Sequence, residues 1–216
     1  MASDEISHPL FAALYDRMGA MERLLKPHRE YLAADLEGRV LELGAGTGNT
    51  FPYVAPPADD FEYHAIEPDP HMRTRAQTQA NETGLAVDLR GARAESLPYP
   101  DDAFDVVLSG MVFCTVDDPA AATDEVARVL KPGGEFRFLE HVHADGWRAT
   151  GQAVLNPLWE RVAAGCQLDR QTVERFVAHD AFRVDEVERL ELGVFPATPF
   201  VRGRLYRRRG GGFSRE

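Results

Sequence analysis

The residues best placed to do chemistry gather around one glycine-rich stretch, Val40-Leu41-Glu42-Leu43-Gly44-Ala45-Gly46-Thr47-Gly48. Glycine at every second position leaves no Cβ in the way, so the backbone can turn sharply and lie against a ligand. Glu42 stands inside the apolar run ahead of the loop, where an acid is rare unless paired. A second acid, Glu67, precedes Pro68-Asp69, and a third, Glu95, follows Ala94. Glu67 ends an apolar run, where a carboxylate can accept two hydrogen bonds from a ligand's diol; otherwise it is an exposed turn acid. Later in the chain Ser109, Gly110 and Phe113 follow one apolar run, and His141 and His143 follow another. His141 is expected to act as general base or substrate contact, with capping of a strand end as the rival reading.

The glycine spacing narrows the ligand. A dinucleotide loop reads G-x-G-x-x-G, whereas here the third glycine falls one place early, at Gly48, followed by Asn49. No Gly-Lys-Ser or Gly-Lys-Thr follows, which excludes a P-loop. The early third glycine and Glu42, which stands where a dehydrogenase places an apolar residue, both favour another ligand with an adenosine and a charged tail. His8, His28, His64, His71 and His179 show no partner pattern and read as surface or packing residues. Cys114 and Cys166 have no metal-ligand spacing and no disulfide framework, so each reads as a small buried hydrophobe, and no metal is expected.

These residues need a scaffold, and the chain supplies a strand–helix alternation from Arg39 onward. Strands are expected at Val40–Leu43, Tyr63–Glu67, Val87–Leu89, Phe104–Leu108 and Glu135–Leu139. Helices are expected from Pro70 to Thr83 and from Asp118-Pro119 to Lys131-Pro132-Gly133-Gly134. Such a rhythm means right-handed βαβ units and a mostly parallel sheet. Beyond Glu140 come helical stretches at 147–165 and 170–179, then strands at 184–192 and 202–207, a pair that suggests an antiparallel edge. Ahead of the sheet, Leu10, Phe11, Leu14, Met18, Met21 and Leu25 recur at helical spacing, with Pro27 expected to interrupt. The division is then a helical cap over 1–35, one α/β domain over 36–209 and a frayed tail over 210–216.

Composition bounds the rest. With 216 residues and 44% apolar content, the chain can bury one proper core. A net charge of −11 argues against nucleic acid as the main partner. Only Lys26 and Lys131 among the 24 basic residues are lysine, which suits either a high-salt habitat or a GC-rich genome. The longest near-apolar run, 106–116, is far short of the ~20 residues of a membrane helix. Acids at Asp4 and Glu5 do not suit a signal peptide, so a cytoplasmic location is expected.

Four segments together resemble the class I S-adenosylmethionine-dependent methyltransferases. Glu42 to Gly48 resembles the family's first motif, and Glu67-Pro68-Asp69 its acidic second motif. Ala94-Glu95-Ser96-Leu97-Pro98 with Asp105-Val106-Val107 resembles the adenine-side loop and fourth strand, and Leu130-Lys131-Pro132-Gly133-Gly134 the turn before the fifth. The resemblance implies a Rossmann-like, seven-stranded, mostly parallel sheet with an antiparallel C-terminal edge strand and helices on both faces. It implies S-adenosyl-L-methionine as cofactor and S-adenosyl-L-homocysteine as product, held by Glu42, Gly44, Ala45, Gly46, Gly48, Glu67, Pro68, Ala94, Glu95 and Ser109. Glu42 is then expected to steer the ligand's ammonium through the loop or water. The backbone of Ala94 and Glu95 is expected to read adenine, the Glu95 side chain being equally well a solvated loop acid.

Beyond strand five, Phe138-Leu139-Glu140-His141-Val142, Asn156-Pro157-Leu158-Trp159 and Gly165-Cys166-Gln167-Leu168-Asp169-Arg170 resemble the methyltransferase-like 7 group. Animal members of that group are alkyl-thiol S-methyltransferases, and its N-terminal membrane anchor is not seen here. Quinone C-methyltransferases and phosphatidylethanolamine N-methyltransferases are more general relatives. A small apolar acceptor is therefore expected, whether thiol, quinone, phenol or lipid amine, and Trp147, Leu155 and Trp159 either line its pocket or fill the core. Two other readings stay open: a non-catalytic S-adenosylmethionine-binding protein, and an NAD-dependent oxidoreductase, which the glycine spacing disfavours. Oligomeric state is not legible.

Overall fold

Val40, Leu41 and Leu43 are all fully buried although neighbouring side chains along a strand point to opposite faces. A strand buried on both faces belongs at the centre of a sheet covered on both sides. The computed structural model describes residues 19–55, 60–163, 165–192 and 195–209. The expectations for Leu10 to Met18 and for the tail 210–216 lie outside the described residues.

Among the described residues the order is α1 (Gly19–Ala33), β1 (Arg39–Leu43), β2 (Glu62–Ile66), α2 (Pro70–Thr83), β3 (Val87–Arg90) and β4 (Phe104–Gly110). Then come α3 (Pro119–Val129), β5 (Leu130–His141), α4 (Gly146–Val162), α5 (Thr172–Ala178), β6 (Phe182–Leu190) and β7 (Phe200–Arg207). The seven strands form one sheet in the order β3-β2-β1-β4-β5-β7-β6. Strands β1 to β5 pair in parallel, and β7 pairs antiparallel with both β5 and β6. The antiparallel strand is the C-terminal one, as expected, and it is threaded between β5 and the outermost β6.

Two apolar layers sandwich the sheet. Ala76 and Ala80 of α2 pack with Val40, Ala65, Val106 and Leu108 on one face. Ala122 and Val126 of α3 and Val173 and Phe176 of α5 pack with Leu41, Val107, Phe136 and Phe138 on the other. Aspartates start the helices that follow β2 and precede β5. Asp69 accepts the N–H groups of His71 and Met72, and Asp118 those of Ala120 and Ala121, each cap worth about 1 kcal/mol.

Pro27 does not interrupt α1, contrary to the sequence expectation; the helix continues through it. A proline inside a helix costs about 3 kcal/mol. Leu25 and Leu32, buried against Leu139 and Phe200, each return about 1.5–3 kcal/mol, enough to hold the helix together. Arg137, nearly buried on β5, adds a polar clamp by donating to the carbonyls of Leu32 and Ala34. Helix α1 is thereby fixed to β5, on the same face of the sheet as Arg137.

Candidate active site

The strand order reverses between β1 and β4, because the chain leaves β1 toward β2 on one side and returns through β4 on the other. Open α/β sheets place ligands in the crevice beyond the carboxyl ends of such a pair. The glycine loop leaves β1 at that point. Its middle glycine, Gly46, has φ +58, and a Cβ there would meet nothing closer than the Gly44 carbonyl at 4.0 Å. The backbone there is bare and faces open space. Gly48 is different: at φ +84 its added Cβ would lie 2.8 Å from the Phe51 ring and 3.1 Å from Gln79 of α2. The third glycine thus lets the loop pack against the next helix, which explains its early position.

The tip of β2 closes on this loop. Glu67 Oε2 accepts the Gly46 N–H at 2.8 Å, and Oε1 accepts the Asp69 N–H at 2.9 Å. Burial raises the Glu67 pKa, and the two backbone donors only partly oppose it. Pro68, between these donors, is half-buried. Ala94 is buried in the loop after β3. The Glu95 side chain accepts the Asp117 N–H at 2.7 Å and so fastens that loop to the turn before α3.

Glu42 and Ser109 turn inward. Glu42 accepts the Tyr63 hydroxyl at 2.9 Å, and burial pushes its pKa up to about 7. Ser109, fully buried, donates to Glu140 Oε1 at 2.7 Å; the Val112 N–H donates to the same oxygen at 3.1 Å. Burial likewise lifts Glu140 to about 7. Beyond β4, Met111 takes φ +62, unusual for a side chain with a Cβ. Its N–H donates to the Leu139 carbonyl at 2.7 Å, which holds the strained turn against β5.

His141 lies at the end of β5, as expected, but with an unforeseen companion. Its Nε2 is 2.9 Å from Cys166 Sγ, and Cys114 Sγ completes a group whose three atoms all lie within 4.8 Å of one another. Cys114 is buried, in keeping with its reading as a small hydrophobe, and Cys166 is half-buried; their convergence on His141 is not foreseen in the sequence. Positions 114, 141 and 166 have no motif spacing, and only the folding of the turn before α5 onto the turn after β4 unites them. The hydrogen bond from Cys114 holds the Cys166 thiol well below its usual range, with His141 and the Trp159 indole helping. Burial opposes the charged form of His141, but the Cys166 contact and the nearby Cys166 and Glu140 charges outweigh it and raise its pKa. His143 stands farther out, its N–H donating to the Arg170 carbonyl at 3.3 Å. Trp147 is 75% exposed and so is not core, while Leu155 and Trp159 are half-buried.

A surface groove of about 310 Å³, lined by Asp105, Lys131 and Gly133, lies at the opposite end of the sheet. The Lys131–Asp105 ion pair forms part of its polar lining with Asp35, Glu37 and Glu135, and it has no part in the crevice.

The family described as "Methyltransferase domain" matches residues 41–138. A thiol S-methyltransferase, TMT1B of Rattus norvegicus, is 32% identical over 76% of this chain and 68% of its own length. The chain belongs to the class I S-adenosylmethionine-dependent methyltransferases. Its cofactor is S-adenosyl-L-methionine, and its reaction is methyl transfer. Human thiol S-methyltransferase TMT1A is 29% identical over 75% of this chain and 68% of its own. The crystal structure of the YcgJ protein from Bacillus subtilis superimposes with a TM-score of 0.65 over 87% of this methyltransferase and 99% of YcgJ, at 22% identity. That likeness is one of fold. Among the described residues no helix is long and apolar enough to cross a membrane.

Proposed function

We propose that this methyltransferase methylates the sulfur of a small apolar thiol. The observation that carries the reading is the buried imidazole–sulfur contact of His141 and Cys166, 2.9 Å long, at the carboxyl end of β5. A thiol reacts as its thiolate, and an imidazole already in contact with a sulfur is a group that can take an S–H proton or hold the resulting thiolate. The thiol S-methyltransferases among its relatives support the same choice.

The crevice suits S-adenosylmethionine. The bare backbone of Gly46, preceded by Gly44 and Ala45, leaves room for a ligand's tail against the loop. Each Glu67 oxygen holds one backbone donor and keeps a lone pair for a ribose hydroxyl. Ala94 and Glu95 border the adenine side with Pro68. Glu42 lies behind the loop and accepts the Tyr63 hydroxyl, and Ser109 acts by fixing Glu140. When bound, the cofactor supplies an electrophilic methyl group on a sulfonium. The protein's part is to align the acceptor with it and to keep water out. His141 is the candidate catalytic residue in this reading, its role being to hold the acceptor's sulfur or take its proton.

The test is a product-coupled assay that follows S-adenosylhomocysteine release with small alkyl thiols, phenols, quinones and primary amines. Turnover of thiols well above the others is expected. Turnover of phenols or amines with thiols inert would overturn the proposal.

A further inference from the structure

Three soft ligands converge where β4 and β5 end, and the cofactor site uses neither sulfur. Two sets of backbone contacts hold them together. The Cys114 carbonyl accepts the Gln167 N–H at 2.9 Å, stitching the turn that carries Cys166 to the one that carries Cys114. Arg170 closes the same junction by donating to the Phe113 and Val116 carbonyls at 2.7 and 2.6 Å. The indole N–H of Trp159 donates to Cys166 Sγ at 3.3 Å, a contact that suits a sulfur bearing negative charge. The turn that carries Cys114 runs beside the glycine loop: Val112, two residues before Cys114, is the side chain that a Cβ on Gly44 would strike at 2.8 Å.

We propose that Cys114, His141 and Cys166 form a three-ligand site for a zinc-class divalent ion whose fourth position takes the sulfur of the acceptor thiol. Zinc–sulfur bonds of about 2.3 Å and zinc–nitrogen bonds of about 2.0 Å put tetrahedral ligand atoms roughly 3.5–3.8 Å apart. The His141–Cys166 contact of 2.9 Å has only to open slightly to admit the ion, and all three atoms already lie within 4.8 Å.

Two sulfurs and an imidazole select zinc over magnesium or calcium, which prefer oxygen. Binding the ion would displace the Cys114 thiol proton to solvent; the two thiolates and the dication then sum to zero charge, so the three-ligand site can sit in the interior without a large desolvation cost. Among the described residues no fourth His, Cys, Asp or Glu joins the three. A structural zinc site is closed by four protein ligands, while three with one position open is the catalytic pattern. On binding there, the acceptor's S–H bond breaks, a metal–sulfur bond forms and the proton passes to solvent.

The inference deepens the thiol reading and rests on it for the fourth ligand; the three protein ligands stand independently. The test uses the whole chain, stripped with chelator in thiol-free buffer and titrated with Co²⁺ and then Zn²⁺. One ion per chain is expected, with a thiolate-to-cobalt charge-transfer band that grows when 2-mercaptoethanol is added. Cys166→Ser, at a half-buried turn, should weaken zinc binding at least tenfold while S-adenosylmethionine affinity stays unchanged. Failure of the wild-type chain to hold Co²⁺ or Zn²⁺ above background, or a Co²⁺ spectrum without a thiolate band, would overturn the site, whatever the variants do. Ion binding without thiol turnover would break the thiol reading and leave the three-ligand site. Full thiol turnover by the metal-free chain, unchanged by zinc, would break the metal's role and leave the thiol reading.

Discussion

The carboxylate of Glu67 accepts the backbone N–H of Gly46 at 2.8 Å, joining the acid at the tip of β2 to the bare centre of the glycine loop. The two are one unit. Glu67→Ala removes a charged acceptor for a ribose hydroxyl and should weaken S-adenosylmethionine binding by about 1–3 kcal/mol, read by calorimetry. Equal affinity in the variant would place the ribose elsewhere.

Gly46 and Gly48 both have positive φ but different neighbours, so alanine should act differently at each. Gly46→Ala meets open space and should cost stability only about 1–2 kcal/mol for the left-handed backbone, while cofactor affinity falls sharply. Gly48→Ala adds a clash with Phe51 and should cost about 2–4 kcal/mol, visible in chemical denaturation. Equal stability losses would show that the packing of Gly48 is unimportant.

Cofactor choice can be read from melting temperature alone. A ligand at about one hundred times its Kd stabilises by about 2.7 kcal/mol, or roughly 5–10 °C for a domain of this size. S-Adenosylmethionine and S-adenosylhomocysteine should each give such a shift, and NAD should give none.

Glu42 predicts a pH dependence. Burial raises its folded-state pKa to about 7, above the unfolded value, so the folded chain holds the extra proton. Its contribution to stability is therefore complete below the ordinary carboxylate range and is lost as pH rises through about 7. Glu42→Gln keeps an acceptor for Tyr63 and should flatten that part of the profile, with a gain on the order of 1–3 kcal/mol above about pH 8. Urea melts across the range would show a parallel wild-type curve if the proton is not held.

The fold was largely readable because its signals are local. Asp69-Pro70 and Asp118-Pro119 announce their helices, and Val106-Val107-Leu108 can only be a strand covered on both faces. Pro27 misled because its penalty is local while its compensation, the burial of Leu25 and Leu32 on β5, is tertiary. For the same reason β7 was legible as an antiparallel strand, but its place between β5 and β6 was not. At the site, the glycine spacing and the acid before Pro68 were visible in the sequence, and the structure brings them together through the Gly46 N–H to Glu67 bond. Ser109 is different: its strand position is apparent, but only the structure commits its hydroxyl to buried Glu140. Cys114 and Cys166 carried no signal, since their meeting with His141 depends on how the segment after β5 folds back. Met111 was equally silent, because its positive φ comes from the turn it is held in.

The most direct test of the account supplies S-adenosylmethionine with an isotopically labelled methyl group, together with a small alkyl thiol, and identifies the product by mass spectrometry. The labelled S-methyl thioether is expected in one-to-one yield with S-adenosylhomocysteine, with its sharp loss in His141→Ala while cofactor binding is retained. Label found on nitrogen, oxygen or carbon, with the thiol recovered unmodified, would contradict it.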